Sequence, residues 1–290
     1  MKILVFGITG LIGSSLFKVL SANPLFEVFG TCRKDQDKKY FSKRQQANIF
    51  SNIDVFNYEQ ILKLLKKNKP NVIINCIGIT KHSPEINNRI TTISINALWP
   101  HQLAKLASDV GAKVIHLSTD CVFSGMRGNY SEIDMPDAID LYGRTKILGE
   151  VTYNNHLTLR ISTIGHEIKC SYGLLNWFLL QKNTCNGYSK AIFSGLPTIF
   201  FAKVLSDYVL PNEDLIGLYH VSAKPVDKFT LLKLIALEYQ IEIKVISDES
   251  LIIDRSLDGT KFASKTGFIC PDWPELIKIM ASTNGIYKNV

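Results

Sequence analysis

Through the first half of the chain, short apolar runs alternate with amphipathic stretches. The runs Lys2–Phe6, Glu27–Cys32, Asn48–Asp54, Val72–Cys76, Lys113–Ser118 and Thr158–Ile161 predict strands. Between them, apolar positions at helical spacing predict helices over Ile12–Ser21, Tyr58–Lys67, Ile90–Val110 and Tyr142–Tyr153. Short, largely apolar strands, each followed by a helix, belong in a parallel sheet covered on both faces. The expected fold class is therefore α/β, with a doubly wound parallel sheet. Further along, the alternation becomes irregular. A strand over Gly217–Ser222 is expected to rejoin the sheet, and a helix over Phe229–Tyr239 to follow it. This predicts a main domain over 1–162, to which 196–226 returns, and a smaller discontinuous C-terminal lobe from 163–195 and 227–290.

Composition narrows the picture only in places. The 290 residues are 46% apolar and 20% charged, ordinary for a globular chain able to bury a sizeable core. No apolar run approaches the roughly 20 residues that cross a bilayer, so no membrane partner is expected. The opening Met1–Gly7 is too short for a signal peptide and leads into a glycine motif, which predicts a cytosolic protein. The net charge of +7 is spread along the chain, and its densest stretch, Lys34 to Arg44, is interrupted by two aspartates. That bias suits an enzyme with phosphate-bearing ligands better than a nucleic-acid binder. The six cysteines form no C-x-x-C pair and have no histidine at ligand spacing, so reduced thiols and no metal are expected.

The segment Gly7-Ile8-Thr9-Gly10-Leu11-Ile12-Gly13 reads G-x-x-G-x-x-G directly after a predicted strand and opens a predicted helix. Glycines so placed allow a tight turn, a close backbone approach to pyrophosphate and close helix–sheet packing. The helix start offers free N–H groups to the anion. The second strand ends at Arg33-Lys34, where a carboxylate would select NAD and a cation suits the 2′-phosphate of NADP(H). Asp54-Val55, after the third strand, is placed to meet the adenine. Cys76-Ile77-Gly78, after the fourth, leaves room for the ribose.

Reducing a carbonyl with a hydride requires a proton donor for the alkoxide that forms. A tyrosine serves if a nearby cation draws its pKa down from about 10. Tyr142 and Lys146 stand four residues apart on one helical face. Alone, that spacing describes two solvated helix residues. Upstream, however, the strand ending Ser118-Thr119-Asp120-Cys121 places a hydroxyl, Thr119, at the mouth where a carbonyl is polarised.

With these motifs in order, the chain resembles extended short-chain dehydrogenase/reductases, in particular the dTDP-4-dehydrorhamnose reductase family. The likeness rests on Gly7–Gly13, on Leu117–Gly125 (L-S-T-D-C-V-F-S-G) and on Tyr142–Lys146 (Y-G-R-T-K), with looser matches to the end of the chain. It implies a Rossmann-type NADP(H)-binding domain, a C-terminal substrate lobe and reduction at C4 of a nucleotide-activated 4-keto-6-deoxyhexose, UDP- or dTDP-linked. It also implies that Asn96 supports the cofactor site, and it leaves a homodimer open. Where that family carries tyrosine, this chain has Cys121, which is similar to epimerase/reductases of the GDP-fucose synthase type. There a histidine accompanies the cysteine, and His166 stands in a similar position. The expectation is that Cys121 and His166 epimerise C3 before reduction, with an acetamido-sugar linked to UDP as the favoured substrate.

Thr80, His82, Asp120, Arg160, Trp177 and Arg255 are expected to face the substrate, Trp177 near its base and Arg255 near its diphosphate. His116 and His220, inside strands, are expected to be satisfied core residues. The alternatives are dTDP-4-dehydrorhamnose reduction, a nucleotide-retaining epimerase or dehydratase, and a non-catalytic NADP-binding regulatory subunit. The last is suggested by the resemblance of the methionine adenosyltransferase β-subunit to this family.

Overall fold

The computed structural model describes residues 1–169 and 172–283. Its central sheet holds seven strands: β1 (Lys2–Phe6), β2 (Glu27–Thr31), β3 (Ile49–Phe50), β4 (Val72–Asn75), β5 (Lys113–Thr119), β6 (Leu157–Ile161) and β7 (Gly217–His220). Their order is β7-β6-β5-β4-β1-β2-β3, and every neighbouring pair is parallel. The order reverses between β1 and β4, the kind of point at which α/β sheets open a ligand crevice at their strand C-termini.

The helices used below are α1 (Leu11–Ala22), α2 (Tyr58–Asn68), α3 (residues 89–109), α4 (Leu141–Leu148), α5 (Thr198–Val204), α6 (Lys228–Glu238) and α7 (Trp273–Ser282). β1 shows why both sheet faces are dry. Ile3 and Val5 enter one apolar cluster with Leu16, Phe17 and Leu20 of α1. Leu4 and Phe6 enter the other with Ile61 and Leu65 of α2 and Trp99 and Leu103 of α3. The first cluster continues through Phe201 of α5, Leu231 and Ile235 of α6 and Leu276 of α7. In the C-terminal half, Asn183–Tyr188 pairs in parallel with Ile243–Asp248, and Ala191–Phe193 lies between Val226–Asp227 and Ile253–Asp254. Residues 196–226 supply β7 to the central sheet and α5 to its face, where Ser15 Oγ donates to Thr198 Oγ1 at 2.8 Å.

Three elements differ from expectation, each for a physical reason. Only Ile49–Phe50 pairs as β3, because Asn52 turns to positive φ (56°) just beyond it. α3 widens into a π segment at Ser94–Leu98. Pro100 has no N–H for the Asn96 carbonyl, and Trp99 N bonds back five residues to the Ser94 carbonyl instead. α4 stops at Leu148 rather than Tyr153, since Gly149 passes so close to the Asn96 carbonyl that a Cβ would sit 1.9 Å from it. Cys170 lies outside the described residues. Among the described residues, no helix is long and apolar enough to cross a membrane.

Candidate active site

The crevice over the β1–β4 switch point is a cleft of about 370 Å³. Its floor is the β1–α1 turn, with Gly7, Thr9 and Gly10 lining it. Gly7 takes φ +80°, and a Cβ on Gly13 would lie 2.2 Å from the Gly7 carbonyl, so both positions need glycine. α1 begins at Gly10 with no side chain capping its first N–H groups, a start that suits an anion. Leu11 and Ile12 form its first turn. One wall carries Cys32 and Arg33, another Asp54 and Val55, and a third Cys76, Ile77 and Gly78. Lys34 does not line the cleft; it begins the 3-10 turn Asp35–Tyr40.

Asn96 is fully buried on the π segment and acts through the backbone beside the cleft. Its Oδ1 accepts from Ile79 N at 2.8 Å, and its Nδ2 donates to Ile79 O at 2.9 Å and Thr145 Oγ1 at 3.3 Å. It therefore clamps the chain after Gly78 to α4.

At the C-terminal end of β5, Thr119 Oγ1 caps the turn Asp120–Val122, accepting from Cys121 N at 3.2 Å and donating to Asp120 Oδ1 at 3.1 Å. Tyr142, in the first turn of α4, sits beside Thr119, Cys121 and Asp120. Asp140 caps α4 by accepting from Gly143 N at 2.9 Å, and it also holds Lys81 Nζ at 2.8 Å. Lys81 Nζ then lies 5.8 Å from the centre of the Tyr142 ring. Cys121 follows on the same turn, with Arg255 Nη1 at 4.0 Å from its sulfur and Arg255 Nε donating to Phe123 O at 2.7 Å. Burial lowers the pKa of Lys228, with Asp120 and Cys121 opposing the shift and Arg255 adding to it.

Several expectations need correction. Tyr142 is not drawn down toward neutrality. Burial, followed by Cys121, holds the phenol above its ordinary pKa, against the nearby Thr119. Lys146 Nζ is turned inward, to Leu117 O at 2.7 Å and His116 Nε2 at 3.2 Å. Arg160 is 3% exposed and belongs to the core: Glu150 takes its Nε at 2.7 Å and its Nη2 at 2.8 Å, and the guanidinium lies over Phe123. Cys121 and His166 have partners of their own. His166 Nε2 meets the Tyr239 hydroxyl at 2.9 Å. Burial, with Asp120 next, pushes the Cys121 thiol up to about 12, far from the range of a working acid–base cysteine. Thr80 and His82 are exposed in the loop after β4, on either side of Lys81, and Trp177 is 40% exposed on the short helix Leu174–Leu179.

The sequence reading missed Lys81, Lys228 and Lys169. Lys169 lines the cleft near Arg33 and pairs with the buried Asp37 across 132 positions of sequence. None of the three sits in a motif. Each reaches the site through a loop or helix start whose placement only the fold decides.

Comparison with known proteins bears on the family and the fold. The family described as the RmlD substrate binding domain matches residues 1–174. The dTDP-4-dehydrorhamnose reductase of Aggregatibacter actinomycetemcomitans is 23% identical, over 96% of this chain and 97% of that protein. Methionine adenosyltransferase 2 subunit beta of Bos taurus is 27% identical over 58% of this chain, and the match spans only about half of that relative's length (48%). Among solved structures, the dTDP-4-dehydrorhamnose reductase of Bacillus anthracis in complex with NADP superposes with a TM-score of 0.80 at 22% identity, covering 98% and 99% of the two chains. The dTDP-glucose 4,6-dehydratase of the same organism, in complex with NAD, gives 0.79 at 14% identity, covering 100% and 99%. With more than half of its length matched, this chain belongs to the RmlD substrate-binding domain family.

Proposed function

We propose that the chain is an NADPH-dependent reductase acting on the C4 ketone of a nucleotide-linked 4-keto-6-deoxyhexose. The observation that carries this reading is the placing of Tyr142 beside Thr119 at the end of β5, by a cleft whose helix start is left uncapped. The cleft fits a dinucleotide: Gly7 and Gly10 leave backbone open at the α1 start, and Arg33 with Lys169 brings positive charge to the end where a 2′-phosphate is read. When bound, NADPH supplies the hydride. Thr119 orients the ketone oxygen, and the Tyr142 hydroxyl transfers its proton to that oxygen as it gains charge. The Tyr142 O–H bond breaks, an alcohol O–H forms, and solvent returns a proton to the phenolate. Lys81, Lys228 and Arg255 supply the positive surroundings that a diphosphate linkage needs. In this reading, 1–162 with 196–226 form the cofactor domain, and 163–195 with 227–290 the substrate lobe.

The RmlD family match and the full-length reductase relative favour dTDP-4-dehydrorhamnose as substrate. The expectation of a UDP-acetamido sugar with C3 epimerisation rested on Cys121, whose buried thiol does not support it. A second reading, a non-catalytic NADP-binding subunit, is favoured by the methionine adenosyltransferase relatives. Incubating the protein with NADPH and each ketosugar in D2O, followed by NMR of the product, separates these readings. A C4 alcohol without deuterium at C3 is expected. Deuterium at C3 would restore epimerisation, and unchanged ketone despite NADPH binding would favour the regulatory subunit.

A further inference from the structure

Below Tyr142, His116 projects from β5 into the interior and is wholly buried. Asn75 Nδ2 lies 3.0 Å from its Nδ1, and Lys146 Nζ lies 3.2 Å from its Nε2. The neighbours decide which ring nitrogen carries the proton. Asn75 Oδ1 accepts from Ile77 N and from Trp99 Nε1, each at 3.2 Å. Turning that amide over would aim its NH₂ group at two N–H donors, so the orientation is fixed. Asn75 therefore donates to His116 Nδ1, which must be the bare nitrogen, and the ring proton sits on Nε2. That N–H points at Lys146 Nζ. An ammonium has three donors and no acceptor, whereas a neutral amine offers a lone pair. Lys146 can then accept from His116 while donating to Leu117 O at 2.7 Å, which leaves both ring nitrogens and the amine with suitable partners.

We propose that His116 is a positioning residue that holds Lys146 as a neutral amine through an Nε2–H···Nζ hydrogen bond, with Asn75 fixing the tautomer. The consequence for catalysis rests on the reductase reading above: Lys146 carries its charge only once a proton is taken up, so the support it gives Tyr142 depends on pH. The groups facing the pair agree with this arrangement. Burial draws Lys146 down to about 8, against Glu150 and Cys76, which favour the charged form. Burial, then Lys146 and His101, hold His116 well below its ordinary value and so keep the ring neutral. Glu150 is already engaged by Arg160 and by Ser118 Oγ at 2.7 Å.

Two measurements test this. In ¹⁵N-histidine-labelled protein at about pH 9, above the lowered Lys146 value, long-range ¹H–¹⁵N spectra should show His116 with a protonated Nε2 and a bare Nδ1. In Asn75→Asp, the carboxylate still accepts from Ile77 and Trp99 but now accepts from the ring as well, so the proton should move to Nδ1 and identify the His116 signals. Nε2 then accepts from a Lys146 ammonium, and the alkaline limb of kcat/KM should move to higher pH by about half to one unit, the size of one hydrogen bond. A His116 that is Nδ1–H or doubly protonated in the unaltered protein overturns the proposal. So does a limb that stays in place in Asn75→Asp while the tautomer has changed. The spectra need no turnover, so a protein that reduces no ketosugar would sink the reductase reading alone.

Discussion

Tyr142 sits beside Thr119, and its phenol is held above its ordinary pKa by burial, with Cys121 and Asp120 adding to the effect. In the proposed reduction, a group in that state gives up its proton only as the oxygen beside it becomes an alkoxide. Cys121 is a different case, because its buried thiol is pushed up to about 12. Replacing Cys121 with serine should leave ketone reduction within a few-fold of the unaltered enzyme, as read from kcat/KM. A loss of a hundredfold or more would return the cysteine to the chemistry. Arg160 shows a further distinction that residue identity alone does not carry. An arginine in an apolar strand reads as a substrate contact until Glu150, ten positions back, is seen to meet it with both partners buried. Removing one charge of a buried pair leaves the other uncompensated, so Glu150→Gln should cost about 3–5 kcal/mol in urea unfolding. A cost below about 1 kcal/mol would show the pair to be solvent-screened.

At the scale of elements, the first half of the chain is legible because its elements repeat one local rule. Apolar strands of two to seven residues alternate with amphipathic helices, and the glycine turn and the Tyr142–Lys146 helix are each contained in one short segment. The interruptions were not legible. The π segment of α3 and the early stop of α4 meet at the Asn96 carbonyl, a contact between helices far apart in sequence. Lys169 is hidden for the same reason: its loop becomes part of the cleft only because Asp37, on the far side of β2, holds it there. If that loop completes the reading of a 2′-phosphate, Lys169→Ala should weaken NADPH binding by about tenfold, the size of one charge-assisted hydrogen bond. NADH binding should change little. Equal losses for both cofactors, measured by fluorescence titration, would make Lys169 a structural pin only.

Across the whole molecule, one apolar cluster runs from β1 and α1 to α6 and α7, so the cleft and the C-terminal lobe share a core. Buried histidines make that core sensitive to acid. Burial, followed by Arg160, lowers His220 to about 4, and burial also lowers His116 and His156. Each is neutral when folded and takes up a proton more readily when unfolded, so its contribution is complete above the unfolded pKa of about 6.5 and is lost as pH falls toward the folded value. Unfolding free energy should therefore decline between pH 6.5 and 4, and His220→Asn should flatten the decline if it folds. A stability that stays level through that window would contradict the burial of neutral histidines. Bound NADPH should raise the midpoint of thermal unfolding, by the equivalent of about 2.7 kcal/mol at a hundred times its Kd. The most direct test of the central claim is NADPH oxidation with dTDP-4-dehydrorhamnose, comparing the unaltered enzyme with Tyr142→Phe. The account predicts turnover that falls by about a hundred- to ten-thousand-fold in the variant while NADPH affinity holds. Undiminished turnover in Tyr142→Phe, or none in the unaltered enzyme, would contradict it.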